Sequence, residues 1–212
     1  MLAAFAMFPQ FTALDFIGPY QVLSSMPGVE VVVCADAAGT VTDDNGLINL
    51  GVEHTFAEVT APDVLVIPGG PGARDEANTH GPTVDWVNAV HATARWTTSV
   101  CTGALILGAA GILKDRPATT HWCFYDELAA NGAIPTEQRV VMDGRIATAA
   151  GVSAGIDLAL ALVGALADPI TAQAIQLGLE YDPQPPFDSG APWKATPEVR
   201  DLVYGLMTQS SD

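Results

Sequence analysis

The hydrophobic positions follow two rhythms that alternate along the chain. Nearly unbroken apolar or β-branched runs occupy 2–8, 29–35, 63–67 and 96–100. Between them lie stretches where apolar residues recur every three or four positions, as with Val84, Val87 and Val90 within 83–94. Unbroken runs fit strands of a parallel sheet buried on both faces, and the wider spacing fits helices packed against it. The alternation predicts an α/β fold with a mostly parallel central sheet flanked by helices on both faces, a flavodoxin-like sandwich.

Taken in order, 2–8 is strand one and the stretch through Phe11 and Thr12 is the loop that follows it. The run 14–23 reads as a helix with an irregular first turn at Gly18 and Pro19. Regular helix is expected from near Pro19, because proline is best tolerated in a first turn. That puts Asp15 at or just before the helix start. Strand two spans 29–35, with Cys34 in the core. The stretch 39–50 contains Asp43-Asp44-Asn45-Gly46, a turn signal between two short β-like pieces, and predicts a small hairpin with a solvated acidic turn. The run 63–67 is strand three, and it enters the glycine-rich loop 68–72. A helix over 83–94 and a strand up to Val100 follow, and then a helix over 104–113.

Further on, 118–122 reads as a strand-like piece ending near His121, with a helix over 124–130. The pieces 140–141 and 145–149 form a hairpin around Asp143-Gly144. A long apolar helix begins near Gly151 and stops before Asp168-Pro169; its N-terminus is another place for backbone donors to face a site, and a further helix covers 170–179. From about residue 182 the chain becomes Pro-rich and extended, expected to wrap over the surface or a partner. A terminal amphipathic helix spans 197–207. His54, His80 and His91 have no partners legible in the sequence.

Composition narrows the function. The chain has 212 residues, enough for one large α/β domain or two small ones, and 49% are hydrophobic. Only 15% are charged, yet the net charge is −16. That balance argues against nucleic acid and against an anionic membrane surface, which both need clustered Lys and Arg. No apolar run is long enough to span a bilayer, and the apolar start lacks the basic flank of a signal peptide. Cys34, Cys101 and Cys123 form neither a disulfide framework nor a zinc pattern, so a reducing cytoplasm is the expected setting.

The candidate chemistry lies at 96–105, where a Thr- and Val-rich strand ends at Cys101 and a helix follows almost at once. Small residues at the turn admit a substrate, and backbone N–H groups there favour an anionic sulfur. The layout is that of a nucleophile elbow with Cys for Ser. A buried core cysteine is the competing reading. The Gly69-Gly70 pair at the end of strand three suits an oxyanion-type pocket wall with the Gly70 N–H as donor, or else a plain turn. His121 is either structural or a group that orients or exchanges protons with Cys101.

Several motifs together resemble the ThiJ/PfpI superfamily, whose fold is the class I glutamine amidotransferase-like sandwich. They are Leu14-Asp15 with Gly18-Pro19, Ile67-Pro68-Gly69-Gly70, Val100-Cys101-Thr102-Gly103, Thr119-Thr120-His121-Trp122, Ala154-Gly155-Ile156-Asp157 and Pro185-Pro186-Phe187. Within the superfamily the chain is most similar to the isonitrile (isocyanide) hydratase group. The resemblance implies one domain over 1–212 with a Pro-rich extension, and a homodimer. It implies Cys101 as nucleophile, Asp15 as its acidic partner, and Thr102, Gly70 and Gly151 around the substrate. The implied activity is hydration of a small-molecule isocyanide to an N-substituted formamide through a thioimidate on Cys101, with no metal or organic cofactor. The segment 122–128 and Ala149-Ala150 depart from that group's pattern, which puts substrate shape and the neighbouring helix in question. The same resemblance leaves open a glyoxalase or deglycase acting on α-oxoaldehydes, or a non-catalytic sensor of metabolites or oxidants. A peptidase is disfavoured, because Thr102 stands where the peptidases of the superfamily carry His.

Overall fold

The computed structural model describes residues 1–208. In chain order its elements are β1 (Leu2–Ala6), α1 (Ala13–Leu23), β2 (Glu30–Ala35), β3 (Gly39–Thr42), β4 (Asn49–Val52), β5 (His54–Thr55), β6 (Val64–Ile67), α2 (Pro71–Thr79), α3 (Pro82–His91) and β7 (Trp96–Val100). There follow α4 (Gly103–Ala109), β8 (Pro117–Ala118), a 3-10 turn (Trp122–Phe124), α5 (Tyr125–Ala130), β9 (Ile134–Pro135), β10 (Val140–Asp143), β11 (Ile146–Ala149), α6 (Ala154–Leu166), α7 (Pro169–Gly178) and α8 (Pro197–Thr208).

Seven strands form one sheet in the order β10-β11-β7-β6-β1-β2-β5. Every pairing is parallel except β10 with β11, the hairpin expected around Asp143-Gly144. Strands β1, β6 and β7 are central and their side chains are buried almost throughout, which is why they read as continuous apolar runs. Two helix groups flank the sheet: α1, α6 and α7 pack together, and so do α2, α3, α4 and α5. From β1 the chain goes first to β2 on one side and then to β6 on the other. The order therefore reverses between β1 and β6, and the carboxyl ends there flank the crevice where α/β sheets bind ligands.

The structure corrects several expectations. Helix α1 begins at Ala13, with Gly18 and Pro19 well inside it. Pro19 removes one hydrogen bond, but tight packing against α6 holds the helix together. A Cβ on Gly18 would sit 3.0 Å from Ile156, and one on Gly155 only 3.1 Å from Pro19. Asp15 thus falls in the first helical turn. Helix α2 grows directly out of the glycine-rich loop, with Pro71 pre-setting its first turn, a start that the run of glycines hid. Helix α4 is only seven residues long, because the chain turns at Gly111 with φ 74°. The strand-like piece at 118–122 shrinks to a two-residue bridge with β9; Thr119 and Thr120 beyond it are fully buried but belong to no strand. The turn 43–46 is exposed at Asp44, Asn45 and Gly46 as expected, but Asp43 is buried and accepts the N–H groups of Leu47 and Ile48, each at 2.9 Å.

Candidate active site

Three strand ends meet at Cys101. Strand β7 delivers it, the chain after β6 passes beside it as Gly69-Gly70, and the loop after β1 leads into α1 and Asp15. Cys101 has φ 54°, a left-handed conformation that few residues other than glycine adopt. The turn is pinned from both sides. Its N–H donates to the carbonyls of Ala149 (3.1 Å) and Ala150 (3.0 Å), and its carbonyl accepts the Thr120 hydroxyl at 2.8 Å. The thiol is thereby aimed out of the end of the strand, as the elbow pattern predicts.

Asp15 is fully buried. Its Oδ2 accepts the Gly69 N–H at 2.8 Å, while Oδ1 meets no nitrogen or oxygen donor among the described residues. The carboxyl and the sulfur lie close on either side of Gly69: a Cβ there would stand 2.7 Å from Asp15 Oδ2 and 2.8 Å from Cys101 Cβ. Burial pushes the Asp15 carboxyl up to about 7, and the negative charge of Asp44 adds to the rise. The Gly69 N–H and a hydrogen bond from the Cys101 thiol pull the other way. Burial also pushes the Cys101 thiol up, and the Asp15 charge pushes it further. Against this, the backbone N–H groups of Val152 and Thr102 and the Thr102 hydroxyl favour the anion.

The elbow therefore supplies the expected N–H groups, but desolvation outweighs them. Cys101 and Asp15 form a coupled acid pair and not an isolated thiolate.

A cavity of about 240 Å³ opens onto the sulfur. Thr12, Asp44, Arg74, Phe124, Val152 and Met207 are among its walls, together with Gly70, Cys101 and Thr102. The Gly70 N–H is not free to serve as an oxyanion donor, because it donates to Thr102 Oγ1 at 2.9 Å. The Thr102 hydroxyl lies within reach of the Gly70 carbonyl at 3.0 Å as well as of the sulfur. Gly70 is needed for space: it has φ 126°, and a Cβ would come within 2.3 Å of the Gln10 carbonyl oxygen and 2.7 Å of the Thr12 nitrogen. Gly70→Ala should cost about 3 kcal/mol or more, since neither the φ nor the backbone contact can relax cheaply. A urea unfolding curve checks this.

His121 is not hydrogen-bonded to Cys101. Its Nδ1 accepts the Cys123 N–H at 3.3 Å, its ring stacks on Trp122, and burial pushes its pKa down to about 4. It lines a neighbouring cavity of about 340 Å³, walled also by Trp122, Tyr125, Arg139 and Trp193. Gly151 lies in that wall as well, and its missing side chain leaves room for His121: a Cβ would stand 2.8 Å from the ring. Val152, one residue on, borders both cavities.

The sequence profile of the DJ-1/PfpI family matches residues 1–165, the stretch that carries every strand and all three corners of the site. The chain belongs to the DJ-1/PfpI family. It is 46% identical to an isonitrile hydratase of Pseudomonas putida over 201 residues, which cover 93% of this chain and 86% of that one. It is 29% identical to the deglycase PfpI of Pyrococcus furiosus over 137 residues, covering 64% of this chain and 81% of the other. The crystal structure of a ThiJ/PfpI family protein from Pseudomonas syringae superposes with a TM-score of 0.93 at 39% identity, covering 98% of this chain and 86% of that one.

The Val152 N–H that faces the sulfur lies at the helix start where the sequence places backbone donors near a site. Two other site residues of this DJ-1/PfpI protein escaped the sequence reading. Arg74 sits on the helix hidden behind the glycines; it pairs with Glu127 at 3.0 Å and lies over the Phe124 ring at 4.7 Å. Met207 reaches the cavity from α8, more than a hundred residues from the elbow.

Proposed function

We propose that the protein is an isonitrile hydratase that converts R–N≡C and water to an N-substituted formamide. The observation that carries this reading is the pairing of Cys101 with Asp15 across Gly69, under a cavity open to a small molecule. The kinship to the Pseudomonas putida enzyme supports it.

The one-proton pair reacts through its minor arrangement, with the proton on Asp15 and the negative charge on sulfur, since burial and the Asp15 charge otherwise hold the proton on the thiol. The thiolate attacks the terminal carbon and Asp15 protonates that same carbon. The result is a thioimidate, R–N=CH–S, beside an Asp15 carboxylate. Water then adds across C=N: the carboxylate takes one proton from the water, hydroxide bonds to carbon, and the proton passes to nitrogen. Collapse breaks the C–S bond. The hydroxyl proton returns to Asp15, the sulfur leaves as thiolate, and R–NH–CHO departs. Atoms and charge balance, and no metal or organic cofactor takes part. The N–H groups of Thr102 and Val152 steady the sulfur charge at the start and the end of the cycle.

Fed a phenyl isocyanide, the purified protein should release the N-phenyl formamide while the infrared band of the N≡C bond disappears. Consumption of methylglyoxal without formamide formation would replace this reading with the deglycase one. Because the pair reaches its one-proton form as it loses its first proton, kcat/KM should rise with pH through about 7 and then level off. A flat profile between pH 5 and 9 would exclude the coupled pair.

We also read residues 1–212 as one domain, cytoplasmic and homodimeric. Exposed apolar residues such as Ile170 and Leu177 on α7 and Leu202 on α8 suit a second copy, and the mass in solution tests the assembly.

A further inference from the structure

The large apolar side chains in the wall of the sulfur cavity are Phe124, Val152 and Met207. Two of them are fixed. Phe124 is buried, and the Arg74 guanidinium, tied to Glu127, lies 4.7 Å over its ring. Val152 packs against the buried cluster that contains Val100, Cys101 and Leu158. Met207 is held differently. It comes from α8, a helix with no buried residue. That helix turns toward the body of the protein the half-buried residues Arg200, Val203 and Met207, spaced three and four apart on one face. Arg200 and Val203 meet Trp122 in a small crevice, and the Tyr204 ring lies 6.4 Å from that of Trp122. One turn beyond Val203 the same face reaches the cavity, and Met207 is the residue that stands there. Its unbranched thioether chain adapts to what it touches. The helix also lies outside residues 1–165, the stretch that matches the family profile. The sulfur chemistry and this wall therefore come from different parts of the chain.

We propose that Met207 is the specificity-determining residue for the substrate's substituent: α8 holds it in the cavity wall as a stop that admits an apolar group of about one ring and rejects larger ones. The inference rests on the hydratase reading for the class of substrate, but not for its geometry. An isocyanide is linear through its nitrogen and terminal carbon. When that carbon meets the sulfur, the substituent points away from Cys101 and has to fit between the remaining walls. The cavity holds about 240 Å³, below the roughly 300–1,000 Å³ of sites that enclose drug-sized molecules. One ring against Phe124 and Val152 suits that space, and a fused pair of rings meets Met207. Phe124 and Val152 also serve the packed interior, so changing them disturbs more than the substrate. Met207 has no such second duty, and its size can be changed in either direction.

The measurement is the ratio of kcat/KM for naphthyl isocyanide to kcat/KM for methyl isocyanide. Damage to the fold or to the reacting groups affects both substrates and cancels in this ratio; only the room left for the substituent moves it. Met207→Ala should raise the ratio about tenfold and Met207→Phe should lower it about tenfold, the lower end of what one methylene is worth in an apolar pocket. The same comparison can be made without any isocyanide. Cys101 is alkylated by N-phenylmaleimide and by N-methylmaleimide, and the two rates are followed by the mass of the Cys101 peptide. Their ratio should rise in the Ala variant and fall in the Phe variant. If the protein does not hydrate isocyanides, the maleimide ratios still test the stop, so the two readings fail separately. Anything short of opposite shifts overturns the proposal: an unchanged ratio in either variant, or ratios that move in the same direction in both.

Discussion

Cys101→Ala should fold as the wild type does and lose turnover by at least about 10⁴-fold, the loss seen when a covalent nucleophile is removed. The structure explains why the two effects separate. What holds the elbow is backbone: the bonds from the Cys101 N–H to Ala149 and Ala150, and from the Thr120 hydroxyl to its carbonyl, all survive the change. Alanine at φ 54° carries the same strain that cysteine already bears, so stability should change by about 1 kcal/mol or less. Single-turnover formamide assays together with a thermal melt decide the matter. Residual formamide at wild-type rates would end the thioimidate mechanism. An unfolded variant would show that the sulfur is a structural group.

Asp15→Asn should move activity and stability in opposite directions. Turnover falls about 10²- to 10⁴-fold, because an amide neither protonates the isocyanide carbon nor takes a proton from water. The pH-dependent rise near 7 goes with it. Stability behaves differently. The native carboxyl sits at about 7 against an ordinary 3.8, so between those values the folded protein holds a proton that the unfolded chain has released. Wild-type stability therefore falls as pH rises from about 4 to 7, and stays lowered above that. The cumulative loss is roughly 4 kcal/mol. Asparagine has no charge to desolvate and can still accept the Gly69 N–H, so the variant should lack this slope. Above pH 7 it should be the more stable protein by a few kcal/mol. Urea titrations at pH 5 and pH 8 measure the difference of slopes; parallel behaviour of the two proteins would show that Asp15 is not held in its neutral form. A site residue that destabilises the fold when charged, and is needed when protonated, is what a functional carboxyl in a dry crevice should look like.

These expectations depend on Asp15 and Cys101 being close, and their closeness comes from the sheet. Eighty-six positions apart in sequence, they meet because β1, β6 and β7 lie side by side with their carboxyl ends level. Gly69 fits between them only because it has no side chain. The resemblance of the motifs implied the pair; spacing along the chain could not.

The chain's own pattern determined the alternation of buried strands and helices, the parallel sheet, the hairpin around Asp143-Gly144 and the elbow at Cys101. Each depends on residues within a few positions of one another: runs of Val, Ile and Leu, turn dipeptides, a small-residue bend. Where α1 begins was not local, since Pro19 in isolation argues for a later start and only the close crossing with α6 overrides it. The fate of the Gly70 N–H, the donors from Val152, the distance of His121 from the sulfur and the place of Asp44 in the wall were likewise decided by tertiary structure. All four concern which groups meet across the sheet ends, and how much water is left between them. Hydrogen-bond partners and desolvation are properties of the assembled crevice, so no stretch of sequence carries them alone.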